Sequence, residues 1–223
     1  MSLDYPASMV DDIFTQNIFK VISMEYIKTV IDVGAHNGDS STLFIFNAMK
    51  DKPVKKLYAL EPQIVPFKNL SKRYKDFDWV LPINKMTGKI SDYHTLEEIR
   101  YFYNNMSKFK NGSLNRLPFS YLTELFLEEI NYLKTNNISE DGLDFIIKDI
   151  GGLPDAIMLD GSSYTKSYRT EFPKYCGTKV LILDDTRCLK NMEIRNYLIN
   201  DSSYNCFYDD LTFRFGVSIF IKK

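Results

Sequence analysis

Four short apolar runs in this chain each stop at a carboxylate: Ile31 is followed by Asp32, Leu60 by Glu61, Leu159 by Asp160, and Leu183 by Asp184-Asp185. A single acid after a strand often caps the next helix, a role open to Asp185 and to the Ser162-Ser163 pair. Four of them, each at the C-terminal end of a strand in one parallel sheet, would gather along the edge where open α/β sheets bind ligands. Their chemistry divides in two. Asp160, Asp184 and Asp185 make an all-oxygen donor set suited to Mg²⁺, which would orient hydroxyls and lower the pKa of one. Asp32 opens the stretch Asp32-Val33-Gly34-Ala35-His36-Asn37-Gly38-Asp39-Ser40, whose glycines permit a tight strand-to-helix turn and close approach of a ligand to the backbone. The spacing is Gly34-x-x-x-Gly38 rather than GxGxxG, and there is no GK[ST] sequence, which excludes a P-loop. Carboxylates flanking such a loop repel a pyrophosphate and welcome a cationic ligand without phosphates. Glu61 follows at an offset of about 20 residues, where a strand-end acid bonds both hydroxyls of an adenosine ribose.

S-adenosylmethionine answers this description, with a ribose for Glu61 and an ammonium and a sulfonium for the acidic loop. The stretch Ile31 to Ser41 resembles the first motif of class I S-adenosylmethionine-dependent methyltransferases, and Tyr58-Ala59-Leu60-Glu61-Pro62 resembles their ribose-binding segment. Within that class the glycine loop and the Glu61-Pro62 pair are similar to the FkbM-type group. Met158-Leu159-Asp160-Gly161-Ser162-Ser163-Tyr164 and Leu181-Ile182-Leu183-Asp184-Asp185-Thr186 look like the metal-dependent O-methyltransferases of the TylF and catechol type.

The resemblance implies that Asp32, Gly34, Ala35 and Gly38 hold the methionine end, that His36, Asn37, Asp39, Ser40 and Pro62 complete the cofactor-binding stretch, and that Glu61 holds the ribose. It implies Asp160, Asp184 and Asp185 as ligands of Mg²⁺. Methyl transfer is an in-line displacement, so the enzyme mainly aligns two reactants and leaves the acceptor deprotonated. The TylF-like group carries a histidine shortly after the fourth-strand acid, where this chain has Gly161-Ser162-Ser163-Tyr164. Asp160 with Tyr164, Lys166 or the metal would then serve the acceptor. His36 is a poor base inside the loop, and His94, with no partner pattern, reads as a surface residue. The Asn/Asp-Pro-Pro-aromatic sequence of exocyclic-amine methyltransferases is missing, which favours a hydroxyl acceptor on a small molecule or carbohydrate.

The elements that must position these residues alternate. An amphipathic helix from Pro6 to Met24 opens the chain, followed by strand Thr29–Ile31, helix Ser40–Lys50, strand Lys56–Leu60, helix Val65–Tyr74 and strand Trp79–Ile83. Thr95 to Gly152 holds no convincing strand but at least two helical patterns, and reads as an insertion that covers or walls the acceptor pocket. Its Tyr101-Phe102-Tyr103 run suits packing, a homodimer surface or a sugar platform equally. Then follow strand Ala156–Leu159, a helix from about Thr165 to Lys174, strand Val180–Leu183, a helix from about Leu189 to Ile199, and two strands, Asn205–Tyr208 and Phe213–Ile221, turning at Asp209-Asp210. The expectation is an α/β, Rossmann-like, doubly wound and mostly parallel seven-stranded sheet with an antiparallel C-terminal hairpin.

At 223 residues the chain suits one domain with an insertion. Its 44% hydrophobic and 26% charged content excludes a disordered or fibrous chain. The longest uncharged run, Ser40 to Met49, is too short to span a bilayer. Asp4, Asp11 and Asp12 replace the basic stretch of a signal peptide, so a cytoplasmic protein without a membrane partner is expected. A net charge of -1 argues against nucleic acid as a partner. The charge is unevenly spread, with 14 basic and 7 acidic residues from Lys50 to Arg116, which reads as solvated lysines on helices. Cys176, Cys188 and Cys206 fit neither a disulfide framework nor a CxxC metal site and are expected as reduced, buried thiols. Two other classes stay open: an NAD-dependent oxidoreductase, since Glu61 suits that ribose too, and a noncatalytic protein that binds an adenosine cofactor.

Overall fold

The computed structural model describes residues 12–105 and 118–223. Its elements are α1 (Ile13–Ile22), β1 (Thr29–Val33), α2 (Ser41–Met49), β2 (Lys56–Leu60), α3 (Ile64–Arg73), β3 (Val80–Ile83), α4 (Leu96–Asn104), α5 (Phe119–Thr135), α6 (Gly142–Ile150), β4 (Ala156–Leu159), α7 (Ser167–Thr170), α8 (Phe172–Tyr175), β5 (Val180–Asp184), α9 (Leu189–Asn200), β6 (Tyr204–Asp210) and β7 (Val217–Lys222). The strands form one sheet in the order β3-β2-β1-β4-β5-β7-β6. The first five are parallel, and β7 runs antiparallel to both β5 and β6. This is the doubly wound sheet with a terminal hairpin that the alternation predicts.

Period-two alternation sends each strand's residues to opposite faces. Val30, Leu57, Ala59, Met158, Ile182 and Ile219 pack on one face with Phe14, Ile18 and Ile22 of α1 and Ile45 and Met49 of α2. Ile31, Tyr58, Leu60, Ile157, Leu181 and Phe220 pack on the other with residues of α6, α8 and α9. With both faces covered, β1, β4 and β5 have no polar side, and their near-continuous apolar sequences follow from that. α1 starts at Asp12, whose carboxylate accepts the Thr15 N–H while Thr15 Oγ1 accepts the Asp12 N–H, both at 2.9 Å. The expected start of this helix at Pro6 lies outside the described residues.

The segment between β3 and β4 has two parts. Leu143 and Ile146 of α6 join the sheet's core, so α6 is the crossover helix that a right-handed β3-to-β4 connection needs. The other two helices of this segment, α4 and α5, share a separate cluster of Ile99, Phe126, Leu133 and Ile138 with Met86, Tyr93 and Tyr164. Within the aromatic run Phe102 is buried, Tyr103 is half-buried with its ring against Phe119 of α5, and Tyr101 is exposed.

Two local expectations change. The hairpin turn falls after Asp210 rather than at Asp209-Asp210, because Asp209 is a paired strand residue held by Arg195 and Ser218. Asp210 instead accepts the N–H groups of Thr212 and Phe213 and forms the turn itself. Of the cysteines, all free, only Cys188 is buried, while Cys176 and Cys206 are exposed. None of the described helices is long and apolar enough to cross a membrane.

Candidate active site

In the parallel register Val33 lies level with Leu60 on one side and Leu159 on the other, and Leu159 lies level with Leu183. The acidic strand ends therefore share one edge, as their positions in the sequence require.

At the β1 and β2 ends the acids are held by neutral donors. Asp32 is fully buried, and it accepts the Ser41 hydroxyl at 3.0 Å and the Thr42 hydroxyl at 2.6 Å. It thus ties the first turn of α2 to β1, and its carboxylate faces no solvent. Burial pushes its pKa up to about 6, against the pull of the two hydroxyls. Glu61, also buried, accepts the His36 N–H at 2.9 Å and the Gln63 N–H at 2.7 Å. Burial raises it to about 7 although both N–H bonds act the other way. His36 reaches Glu61 by adopting φ of +48°, uncommon outside glycine. Asn84 Nδ2 donates to the carbonyls of Glu61 and Pro62 and holds the turn after β2. Among the described residues neither Asp32 nor Glu61 has a lysine or arginine partner.

The loop's glycines answer first to the protein's own packing. Gly34 has φ of +84°, and a Cβ there would sit 2.1 Å from the Asp160 carbonyl oxygen. At Gly38, φ is +73° and a Cβ would meet Leu70 and Tyr74 at 2.6 Å. The N–H groups of Gly34 and Ala35 donate to Leu60 O at 3.0 and 3.1 Å, which draws the loop toward β2. Asn37 accepts from Asn69, Asp39 lies 3.6 Å from Arg73, and Ser40 precedes α2 without a side-chain capping bond.

The β4 and β5 ends are built differently. Lys190, on the first turn of α9 and almost fully buried, places Nζ 2.9 Å from Asp160 Oδ1, from Gly161 O and from Asp185 Oδ2. Arg214 Nη1 lies 3.3 Å from Asp184 Oδ2, and its Nη2 3.0 Å from Asp12. Asn191 Nδ2 donates to Leu159 O and Asp184 O, stitching the two strand ends together. Burial raises the pKa values of Asp160 and Asp184, and the neighbouring carboxylates add to this. No group of three His, Cys, Asp or Glu side chains placed to hold a metal ion occurs among the described residues.

Above this edge lies α5. The Tyr132 hydroxyl accepts the Ile64 N–H at 2.8 Å, and the Tyr93 hydroxyl donates to Glu129 Oε1 at 3.0 Å. Glu129 also takes a bond from Ser162, and burial raises its pKa. It lies near enough to Glu61 and to Lys190 for their charges to interact. A cavity of about 10 Å³, lined by Thr87, Gly161, Ser162, Glu171 and Lys190, has room for one water.

Tyr164 departs from its expected role: it is buried among the insertion's residues, its hydroxyl donates to Leu122 O at 3.1 Å, and its ring meets Phe126 edge-on. Lys166 is directed to Glu98 at 3.0 Å. His94 is not a surface residue, since its ring is largely buried beside Glu98 at 3.4 Å. Sequence reasoning missed Lys190, Asn191 and Glu129. The first two had a signal, because side chains in a helix's first turn tilt back toward its N-terminus, here the β5 end. Glu129 had none, because its place depends on how α5 folds over the sheet.

No family model matches the chain, and no curated protein matches it either. Solved structures do. A candidate caffeoyl-CoA O-methyltransferase from Staphylococcus aureus superposes with a TM-score of 0.55 at 14% identity, covering 97% of this chain and 86% of the other. An O-methyltransferase from Bacillus cereus, in complex with S-adenosylhomocysteine, gives 0.53 at 9% identity over 98% and 84%. TomG from Streptomyces achromogenes, an O-methyltransferase of tomaymycin synthesis in complex with S-adenosylmethionine, gives 0.52 at 9% identity over 99% and 84%. At such identities the likeness is one of fold: the chain has the Rossmann-like fold that these methyltransferases share.

Proposed function

We propose that the protein is an S-adenosylmethionine-dependent methyltransferase that methylates a hydroxyl of a small molecule or sugar. The observation that carries this reading is the pair of buried acids at the β1 and β2 ends. Asp32 and Glu61 are bonded only by neutral donors among the described residues, and burying carboxylates without a counter-charge is costly. A ligand that brings positive charge relieves that cost, and one with phosphates adds to it. A sulfonium and an ammonium beside an adenosine ribose fit, whereas a nicotinamide dinucleotide does not. In this reading Glu61 accepts the ribose hydroxyls and the loop from Gly34 to Ser40 carries the methionine end, with Asp32 acting through the loop rather than by contact.

The Mg²⁺ that the sequence resemblance implies does not fit the acids at β4 and β5. The point between Asp160 and Asp185 is taken by the Lys190 ammonium, and Asp184 is paired with Arg214. Proton removal from the acceptor falls instead to Glu129, which lies on α5 near Glu61 and Lys190 and whose raised pKa makes it a better base than an ordinary carboxylate. Tyr93 and Ser162 hold it in place. Transfer then breaks the sulfonium–methyl bond and forms the ether, leaving S-adenosylhomocysteine.

The test is incubation with methyl-labelled S-adenosylmethionine and a panel of polyols, sugars, catechols and RNA. Label on a hydroxyl compound, falling about a hundredfold in Glu129→Gln with cofactor binding kept, is the expected result. Label only on RNA or on amines overturns the acceptor class.

A further inference from the structure

The feature that neither the fold nor the sequence resemblance accounts for is the position of Lys190. Its ammonium is almost fully buried and contacts Asp160 Oδ1, Asp185 Oδ2 and Gly161 O, all at 2.9 Å. An ammonium has three donors, and all three have an acceptor. A divalent ion binding these same oxygens needs the point between them, at about 2.1 Å from each for Mg²⁺. One cation or the other can stand there.

We propose that Lys190 is the resident cation of this end of the site: it holds Asp160 and Asp185 in the place of a divalent metal, so that the chain works without one, and its removal uncovers a divalent-cation site. The arrangement is built and not incidental. Lys190 lies on the first turn of α9, beside Asn191, whose amide bonds Leu159 O and Asp184 O and so fixes that turn against the strand ends. The Asp185 backbone, at φ of +54°, is held by the Asp184 carboxylate accepting its N–H at 2.9 Å. The lysine, the acids and the strained turn therefore form one unit. A hydroxyl acceptor at this end meets a fixed single charge rather than an ion with exchangeable coordination positions. The inference rests on the methyltransferase reading only for what the acceptor is; the cation itself is independent of it.

The test is titration of the full chain with Mn²⁺, followed by electron paramagnetic resonance of free Mn²⁺ and by melting temperature, for the wild type, Asp160→Asn, Lys190→Ala and Lys190→Ala/Asp160→Asn. The wild type is expected to bind no Mn²⁺ up to about 1 mM. Lys190→Ala is expected to bind it at least about tenfold more tightly and to gain thermal stability from it, and the double variant to lose both. Wild-type binding at micromolar Mn²⁺ that Asp160→Asn abolishes overturns the proposal, as does a folded Lys190→Ala that ignores the ion. If Lys190→Ala fails to fold, the wild-type titration alone decides. Cofactor affinity, measured separately, reports on the methyltransferase reading and leaves this result untouched.

Discussion

The two halves of the sheet edge bury carboxylates in opposite ways. At β1 and β2, Asp32 and Glu61 receive hydroxyl and amide hydrogens and, among the described residues, no cation, and their pKa values rise to about 6 and about 7. At β4 and β5, Asp160, Asp184 and Asp185 are met by Lys190 and Arg214. The first half is left short of positive charge and the second carries its own. The difference teaches where charge is already balanced: the β4–β5 side carries its own cations, and on the proposed reading a cationic ligand completes the β1–β2 side while the other half aligns an acceptor.

The contrast can be broken most sharply by mutation. Lys190→Met leaves Asp160 and Asp185, each about a quarter exposed, without their shared cation and is expected to cost about 2–3 kcal/mol in urea unfolding, whereas Asp32→Asn keeps partners for Ser41 and Thr42 and is expected to cost about 1 kcal/mol. Equal costs would erase the distinction. Next in size is Glu61→Ala, expected to weaken S-adenosylhomocysteine binding about a hundredfold, the worth of two hydrogen bonds to a charged group.

A smaller effect is one of pH. Burial raises Glu61 to about 7, and in the proposed reading its ionised form is the one that accepts both ribose hydroxyls. Affinity should therefore rise about tenfold from pH 6 to pH 8 and level off above. Glu61→Gln should flatten that profile, and a wild-type profile of the opposite slope would show that the protonated acid is the binding form. Smallest is Tyr164→Phe, which loses one bond to Leu122 O. It is expected to lower stability by about 1 kcal/mol and leave turnover unchanged.

Much of this was legible in the residues. The mostly parallel sheet follows from the alternation of strands and helices, with the apolar runs of β1, β2, β4 and β5 buried on both faces, and Asp32, Glu61, Asp160 and Asp184 could be placed on one edge because parallel strands end together. Partners were harder. Asp32 reads as a ligand-facing acid from spacing alone, yet Ser41 and Thr42, the first two residues of α2, enclose it. Gly34 reads as room for a ligand but makes room for Asp160 O. The metal set reads correctly as three neighbouring acids and fails at Lys190, whose position depends on the start of α9. Between Thr95 and Gly152, α6 carries a helical pattern like that of α5, and only packing on the sheet separates the two.

The most direct measurement of the central claim is calorimetric titration of the purified chain with S-adenosylhomocysteine, in Mg²⁺ and again in EDTA, with NAD⁺ as the rival ligand. Binding in the micromolar range, about equal in both buffers and lost in Glu61→Ala, with none for NAD⁺, is the predicted result. No binding of S-adenosylhomocysteine in either buffer, or binding of NAD⁺ in its stead, would contradict it.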